Sequence, residues 1–360
     1  MNKTLKTFLN HLWQSILFWT VAMVLWALFR YFGLDSEAGI IISQEFQNDF
    51  SLANILPLFA LAGSILGILY AIVEFVFEKY TSKRRSIGLT ILIKTFIYLF
   101  FIILIATSMI ELGTTLFGIE KNNELGWWRK DKSFWITVFY FMLTSLIFNF
   151  IKIANEKFGK GIFLKMLLGT YKNPKEEKRI FMFLDLKSST TIAETLGHFK
   201  YSQLIQDCFY DLNDIVPKYA AEIYQYVGDE AVLSWPYEKG LANNNCVALF
   251  FSFQTLLNTR NSYYKNKYGL VPEFKAGLHG GKLMVAEVGV VKKELAFHGD
   301  VINTSARIQA ECNKYNVAVL ISEELKEDLR IDPKYSIKSI GNLLLKGKKK
   351  ELTIFTIFQD

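Results

Sequence analysis

Three cysteines and four histidines are all that this 360-residue sequence offers to disulfides or soft metals. Cys208, Cys246 and Cys312 lie in the second half, an odd number without metal-type spacing. That excludes a disulfide framework and points to reduced thiols in a cytosolic compartment. His279 has no second histidine at ligand spacing, so it reads as structural. Lysine and arginine are missing from Leu34–Leu52, which carries Asp35, Glu37, Glu45 and Asp49 instead. The first apolar stretch lacks the small-residue cleavage site of a signal peptide and is too long for one.

What the chain does have is apolar length. Hydrophobic residues make up 51% of it and crowd into the first 150 or so positions. A bilayer core takes roughly 20 apolar residues as a helix, and four stretches qualify: Trp13–Phe32, Ile55–Phe77, Ile87–Ile110 and Phe134–Ala154. The second connection holds Lys79, Lys83, Arg84 and Arg85, so the positive-inside rule makes it cytoplasmic, together with both termini. The loop Glu120–Lys132, with Trp127 and Trp128, suits the outer interface. The net charge of +7 comes largely from these flanks, which argues for a lipid bilayer as partner and against nucleic acid. The expected location is the inner (plasma) membrane, multi-pass, with the second half in the cytosol. Glu74 and Lys94 fall inside the second and third spans, where snorkelling or pairing across the hairpin is expected.

The domains expected are an all-α membrane domain of four transmembrane helices over 1–154, a juxtamembrane linker helix over 155–178, and a soluble domain over 179–360. In the linker, Ile162, Leu164, Leu167 and Leu168 form an apolar stripe that ends near Gly169 and Asn173-Pro174.

Chemistry concentrates in five segments of the soluble half. Ile180–Leu184 is a buried strand ending in Asp185, followed by Lys187-Ser188-Ser189-Thr190-Thr191 and a helix start that suits phosphate. Two strand-like runs flank Gly228-Asp229, the composition of a tight hairpin. In a βαββαβ arrangement such a hairpin lies beside the first strand, about 4.8 Å away. Asp185 and Asp229 would then hold a pair of divalent cations, as two-metal phosphoryl chemistry requires. Phe274–Gly289 reads as two strands around Gly280-Gly281. Asn303 and Arg307 are four apart on one helix face, where amide and guanidinium suit a developing phosphate charge. Finally, Lys346 opens a basic hairpin turn whose remaining lysines, Lys348–Lys350, read as a solvated loop.

In this order the five segments, over Arg179–Ile357, resemble the catalytic domain of class III adenylyl/guanylyl cyclases. The resemblance implies an α+β, ferredoxin-like (βαββαβ) fold and a head-to-tail homodimer whose sites are shared between protomers. It implies two Mg²⁺ or Mn²⁺ ions per site on Asp185 and Asp229, with the Leu186 carbonyl as an additional ligand. By the same resemblance Asn303 and Arg307 are catalytic, while Lys346, Lys275 and the Ser188-Ser189-Thr190 turn face the triphosphate. The base-reading positions are Gln225 and Ala296, which match neither the adenylyl nor the guanylyl set; ATP is favoured, with GTP as the alternative. Three other readings remain: a catalytically silent receptor dimerising through this fold, a diguanylate cyclase suggested by Val227-Gly228-Asp229-Glu230, and a transporter with a regulatory tail.

Overall fold

A computed structural model describes residues 3–34, 52–80, 87–117, 132–159 and 162–359. The chain divides into two compact units, Met1–Lys157 and Phe158–Asp360. Most of the loop residues behind the expected topology, between 34 and 52, 80 and 87, and 117 and 132, lie outside the described residues.

The first unit consists of α1 (Lys3–Phe29), α2 (Leu52–Tyr80), α3 (Ile87–Phe117) and α4 (Lys132–Phe158). Among the described residues, three stretches are long and apolar enough to cross a membrane: Leu12–Phe32, Leu52–Phe77 and Phe134–Asn155. In α3 the apolar stretch among the described residues is shorter, Leu92–Ile105, where a full fourth span was expected. Helices α1 and α2 approach closely because Gly63 and Gly67, four apart, carry no side chain. A Cβ at Gly67 would fall 2.5 Å from the Ile16 Cα, and one at Gly63 2.6 Å from the Trp19 carbonyl oxygen. Small residues at this spacing are what lets helices pack where water supplies no drive.

Deep in this unit the rings of Tyr70 and Tyr98 stack at 3.7 Å. Beside them Glu74, 1% exposed, accepts from Lys94 at 2.7 Å and also pairs with Lys152 and Tyr98. Glu74 and Lys94 therefore pair across the α2–α3 hairpin rather than snorkel. Lys152, from α4, is a partner that the sequence did not suggest.

The second unit begins with α5 (Ile162–Leu167) and β1 (Lys175–Leu186), then α6 (Ser189–Ile215), β2 (Glu222–Val227), β3 (Glu230–Pro236), α7 (Tyr237–Leu241), α8 (Asn245–Thr259) and α9 (Asn261–Tyr268). It continues through β4 (Phe274–Val288), β5 (Glu294–His298), α10 (Asp300–Tyr315), β6 (Val319–Ser322), α11 (Glu323–Asp328), β7 (Tyr335–Leu343) and β8 (Leu352–Gln359). The sheet order is β2-β3-β1-β4-β6-β8-β7, with β5 paired to β4. Its first four strands, β2-β3-β1-β4, are mutually antiparallel and give the ferredoxin-like βαββαβ core.

Strand β1 is central because its apolar run is buried on both faces. Ile180, Met182 and Leu184 pack under α6 and α8, and Phe181 packs with Val232, Val285 and Phe297 on the other side. The expected linker helix is much shorter. Helix α5 has six residues, Gly169 (φ +66°) and Asn173-Pro174 follow it, and β1 starts at Lys175. Gly280-Gly281 is no turn either: β4 runs straight through it. These glycines serve close packing, since a Cβ at Gly280 would fall 2.6 Å from the Tyr237 ring. All three cysteines are buried and unpaired.

Candidate active site

Strand β1 carries Asp185 as its second-to-last residue, between the buried Leu184 and Leu186. In register, Asp185 lies opposite Glu230 of β3 and Lys275 of β4. The tight turn at Gly228 (φ +62°) places Asp229 one residue before Glu230. Three carboxylates thus meet at one end of the sheet. Lys275 approaches the Asp185 Oδ2 at 3.1 Å, and Gln309 of α10 donates to the same oxygen at 2.9 Å. Leu186 follows with its side chain buried and its backbone opposite Phe274.

The electrostatics show the crowding. Burial pushes the Glu230 carboxyl up to about 7, and the charges of Asp185 and Asp229 push in the same direction. Asp185 is also raised, first by burial, with Lys275 opposing and Asp229 adding. Among the described residues, the buried Asp229 Oδ2 has no hydrogen-bond partner. A buried oxygen left alone is costly, and here it faces a surplus of negative charge. That combination fits divalent cations bound by one or two carboxylates and completed by substrate phosphates. No group of three or more His, Cys, Asp or Glu able to hold a metal occurs among the described residues. A cation held here would rest on the Asp185–Asp229 pair together with substrate phosphates, as Mg²⁺ commonly does.

A second group gathers on α10 and the β7–β8 turn. Asn303 is exposed and Arg307 half-buried. Gly347 lies against Arg307, where a Cβ would fall 3.4 Å from Nη2, and Lys346 precedes it in the same turn. Lys348 pairs with Asp300 in the first turn of α10. It is thus a tie between turn and helix and not the solvated side chain that the lysine run suggested. His279 is neutral and structural: burial, with Lys348 adding, holds it near 4, and its Nδ1 bonds the Ser322 hydroxyl at 2.7 Å.

The turn after Asp185 puts Ser188 in left-handed backbone (φ +57°) immediately before α6, with Ser189 and Thr190 in the first helical turn. Gln225 is exposed on β2 and Ala296 half-buried on β5. Their neighbours Tyr224 and Phe297 touch ring to ring at 4.8 Å, but successive side chains on a strand face opposite ways, so this contact does not itself join Gln225 to Ala296. Lys275 is the predicted residue whose surroundings differ most. Expected to face phosphate, it sits against Asp185. Glu230 and Gln309 were missed; Glu230 was visible beside Asp229, whereas nothing in the spacing marked Gln309.

An α+β sheet with carboxylates clustered at one end, packed against a helix bearing asparagine and arginine, is compatible with phosphoryl chemistry. Residues 171–358 match the family described as the adenylate and guanylate cyclase catalytic domain, and the chain belongs to that family. It is 34% identical over 218 residues to Adenylate cyclase 2 of Rhizobium meliloti (strain 1021), covering 61% of this chain and 60% of that protein. Retinal guanylyl cyclase 2 of Homo sapiens is 22% identical over 181 residues, 49% of this chain and 16% of that protein. The chain thus spans less than two thirds of the length of these curated relatives. Among solved structures, a bacterial light-regulated adenylyl cyclase superposes with a TM-score of 0.52 at 17% identity, covering 66% of each chain, which shows the shared fold.

Proposed function

We propose that this protein is a membrane-bound adenylyl cyclase that converts ATP to 3′,5′-cyclic AMP and pyrophosphate as a homodimer, under control of its helical unit. The observation that carries the reading is the Asp185–Asp229–Glu230 cluster, with more negative charge than Lys275 balances and an unpartnered Asp229 oxygen. Asp185 and Asp229 would hold two Mg²⁺ or Mn²⁺ ions, with the Leu186 carbonyl beside them. When bound, such ions lower the pKa of the ribose 3′-hydroxyl and neutralise the phosphates. Asn303 orients the ribose so that the 3′-oxygen can reach the α-phosphorus. Arg307 and Lys346 meet the charge that grows on the α-phosphoryl group and the leaving pyrophosphate. The N–H groups at Ser188-Ser189-Thr190 and the Lys275 ammonium would bind the triphosphate. In a dimer of two-fold symmetry, each site takes Asp185 and Asp229 from one protomer and Asn303, Arg307 and Lys346 from the other.

The helical unit supplies a multi-pass anchor in the plasma membrane, with both termini and the catalytic unit in the cytoplasm. All the reactive residues named are present, which speaks against a silent receptor. The similarity to Adenylate cyclase 2 and the lack of an acidic residue at Gln225 favour ATP over GTP. The test is product analysis of the purified full chain in lipid nanodiscs, given ATP or GTP with Mg²⁺ or Mn²⁺. Cyclic AMP with equimolar pyrophosphate is expected; conversion of neither nucleotide would reject the reading.

A further inference from the structure

Helix α10 carries Asn303 and Arg307, yet another of its residues reaches the metal half of the same protomer. Gln309 is 6% exposed, and its Nε2 donates to the Asp185 Oδ2 at 2.9 Å. It follows Arg307 by two residues, which is a rotation of about 200° around the helix. Arg307 and Gln309 therefore leave α10 in opposite directions. The backbone of Gln309 is also held in place. Gly277 of β4 lets α10 press onto the sheet, and a Cβ there would fall 2.2 Å from the Gln309 nitrogen. Lys275, two residues earlier on β4, meets the same Asp185 oxygen. Oδ2 is thus gripped from the helix and from the strand.

We propose that Gln309 is a positioning residue for Asp185, so that one helix serves both active sites of the dimer: Asn303 and Arg307 act in one, and Gln309 in the other. This rests on the shared-site reading above. A hydrogen bond to a metal-binding carboxylate fixes its orientation, and losing such a partner typically costs about 10–100-fold in metal affinity. A helix anchored at both ends of this arrangement also gives the two sites a common rigid part. Binding at one would then be felt at the other.

The experiment uses full-length chains with two affinity tags, so that heterodimers are isolated. Gln309→Met keeps the side-chain length and removes the amide. Paired with Arg307→Ala, it leaves one whole site whose Asp185 has a normal Gln309; cyclase activity with the wild-type Mn²⁺ requirement is expected. Paired with Asp185→Ala, the surviving site has an Asp185 that lacks its amide partner, and a Mn²⁺ requirement about 10-fold higher is expected. Equal Mn²⁺ requirements in the two mixtures overturn the proposal. Mn²⁺ affinity of the Gln309→Met homodimer, measured by electron paramagnetic resonance without nucleotide, should fall about 10-fold; an unchanged affinity overturns it as well. Gln309→Asn, with a shorter reach, takes its place if the Gln309→Met variant does not fold. If Asp185→Ala mixed with Arg307→Ala recovers no activity, the shared-site reading fails instead, and the Mn²⁺ measurement still decides the role of Gln309.

Discussion

Each unit of this chain buries a knot of charge, and the two knots are balanced in opposite ways. In the helical unit one carboxylate, Glu74, is met by two lysines and a tyrosine hydroxyl. In the catalytic unit three carboxylates, Asp185, Asp229 and Glu230, share the single ammonium of Lys275. The first knot is closed, since both oxygens of Glu74, on α2, have partners from α3 and α4. The second is left open, with a surplus of negative charge and a buried Asp229 oxygen lacking a partner. A folded chain retains such an uncompensated cluster when something outside the chain completes it. The unpartnered Asp229 oxygen, and not burial as such, sets the second knot apart from the first.

The largest effect is expected where the closed knot is cut. Glu74→Gln would leave Lys94 and Lys152 without this counter-charge in an apolar setting. Removing one partner of a buried ion pair costs about 3–5 kcal/mol, and the partial exposure of Lys152 places this case near the lower end. Unfolding of the full chain by sodium dodecyl sulfate, followed by circular dichroism, should show the helical unit melting earlier. A shift below about 0.5 kcal/mol, the level of ordinary surface changes, would break the comparison.

The open knot should respond chiefly in catalysis, without loss of folding stability. Asp185→Ala or Asp229→Ala is expected to reduce turnover by at least about 10²-fold, because cation binding is lost. Secondary structure should be retained, and thermal unfolding should come no earlier than in the wild type. Wild-type turnover in either variant would remove these residues from the site.

The same contrast explains what the sequence made legible. Asp185 could be read because it ends an apolar run, Asp229 because it follows a turn glycine, and Asn303 with Arg307 because they share a helix face. The βαββαβ core could be read from the same punctuation. Contacts between distant segments were not legible. Gln309 meets Asp185 across 124 residues, and Lys152 reaches Glu74 across 78; no local spacing encodes either pair. Gly280-Gly281 misled because the same residue type serves turns and close packing, and only the ring of Tyr237 above it distinguishes them. Lys275 was ambiguous for a related reason: a basic residue near both a carboxylate and a phosphate site has two possible partners.

Between the two knots in character lie the proposed base-reading positions, Gln225 and Ala296, which carry no charge. A pocket rejects the wrong base strongly only when its own buried polar groups would go unpaired. Gln225 is exposed in the isolated protomer, its amide can turn to suit either purine, and Ala296 offers no hydrogen bond. ATP should therefore be preferred over GTP by about 10-fold in kcat/KM, far short of the roughly 10⁴ reached by a fully matched site. Gln225→Lys with Ala296→Asp should raise the ratio, and Gln225→Glu should lower it. Discrimination of several thousand-fold in the wild type would mean that other groups read the base.

The smallest effect is the one that tests the surplus of charge directly. Asp229→Asn removes one of three crowded negative charges and keeps the side-chain shape. Without metal it should stabilise the catalytic unit by about 0.5–2 kcal/mol, the usual gain from one stabilising substitution such as a charge optimisation. The gain should grow with pH. Glu230 titrates at about 7 in the folded protein and at about 4.3 when unfolded, so between these values the folded state binds more protons and wild-type stability falls as pH rises. Asp229→Asn takes away one cause of that upward shift, which moves the folded value of Glu230 down and flattens the decline. Thermal unfolding at pH 5 and pH 7.5 in chelator should show the variant gaining on the wild type at the higher pH. Adding Mg²⁺ should then reverse the order, because cations that bind only the folded state stabilise the chain that binds them better. A variant less stable than wild type in chelator at pH 7.5 would mean that the Asp229 oxygen has a partner, and that the second knot is as closed as the first.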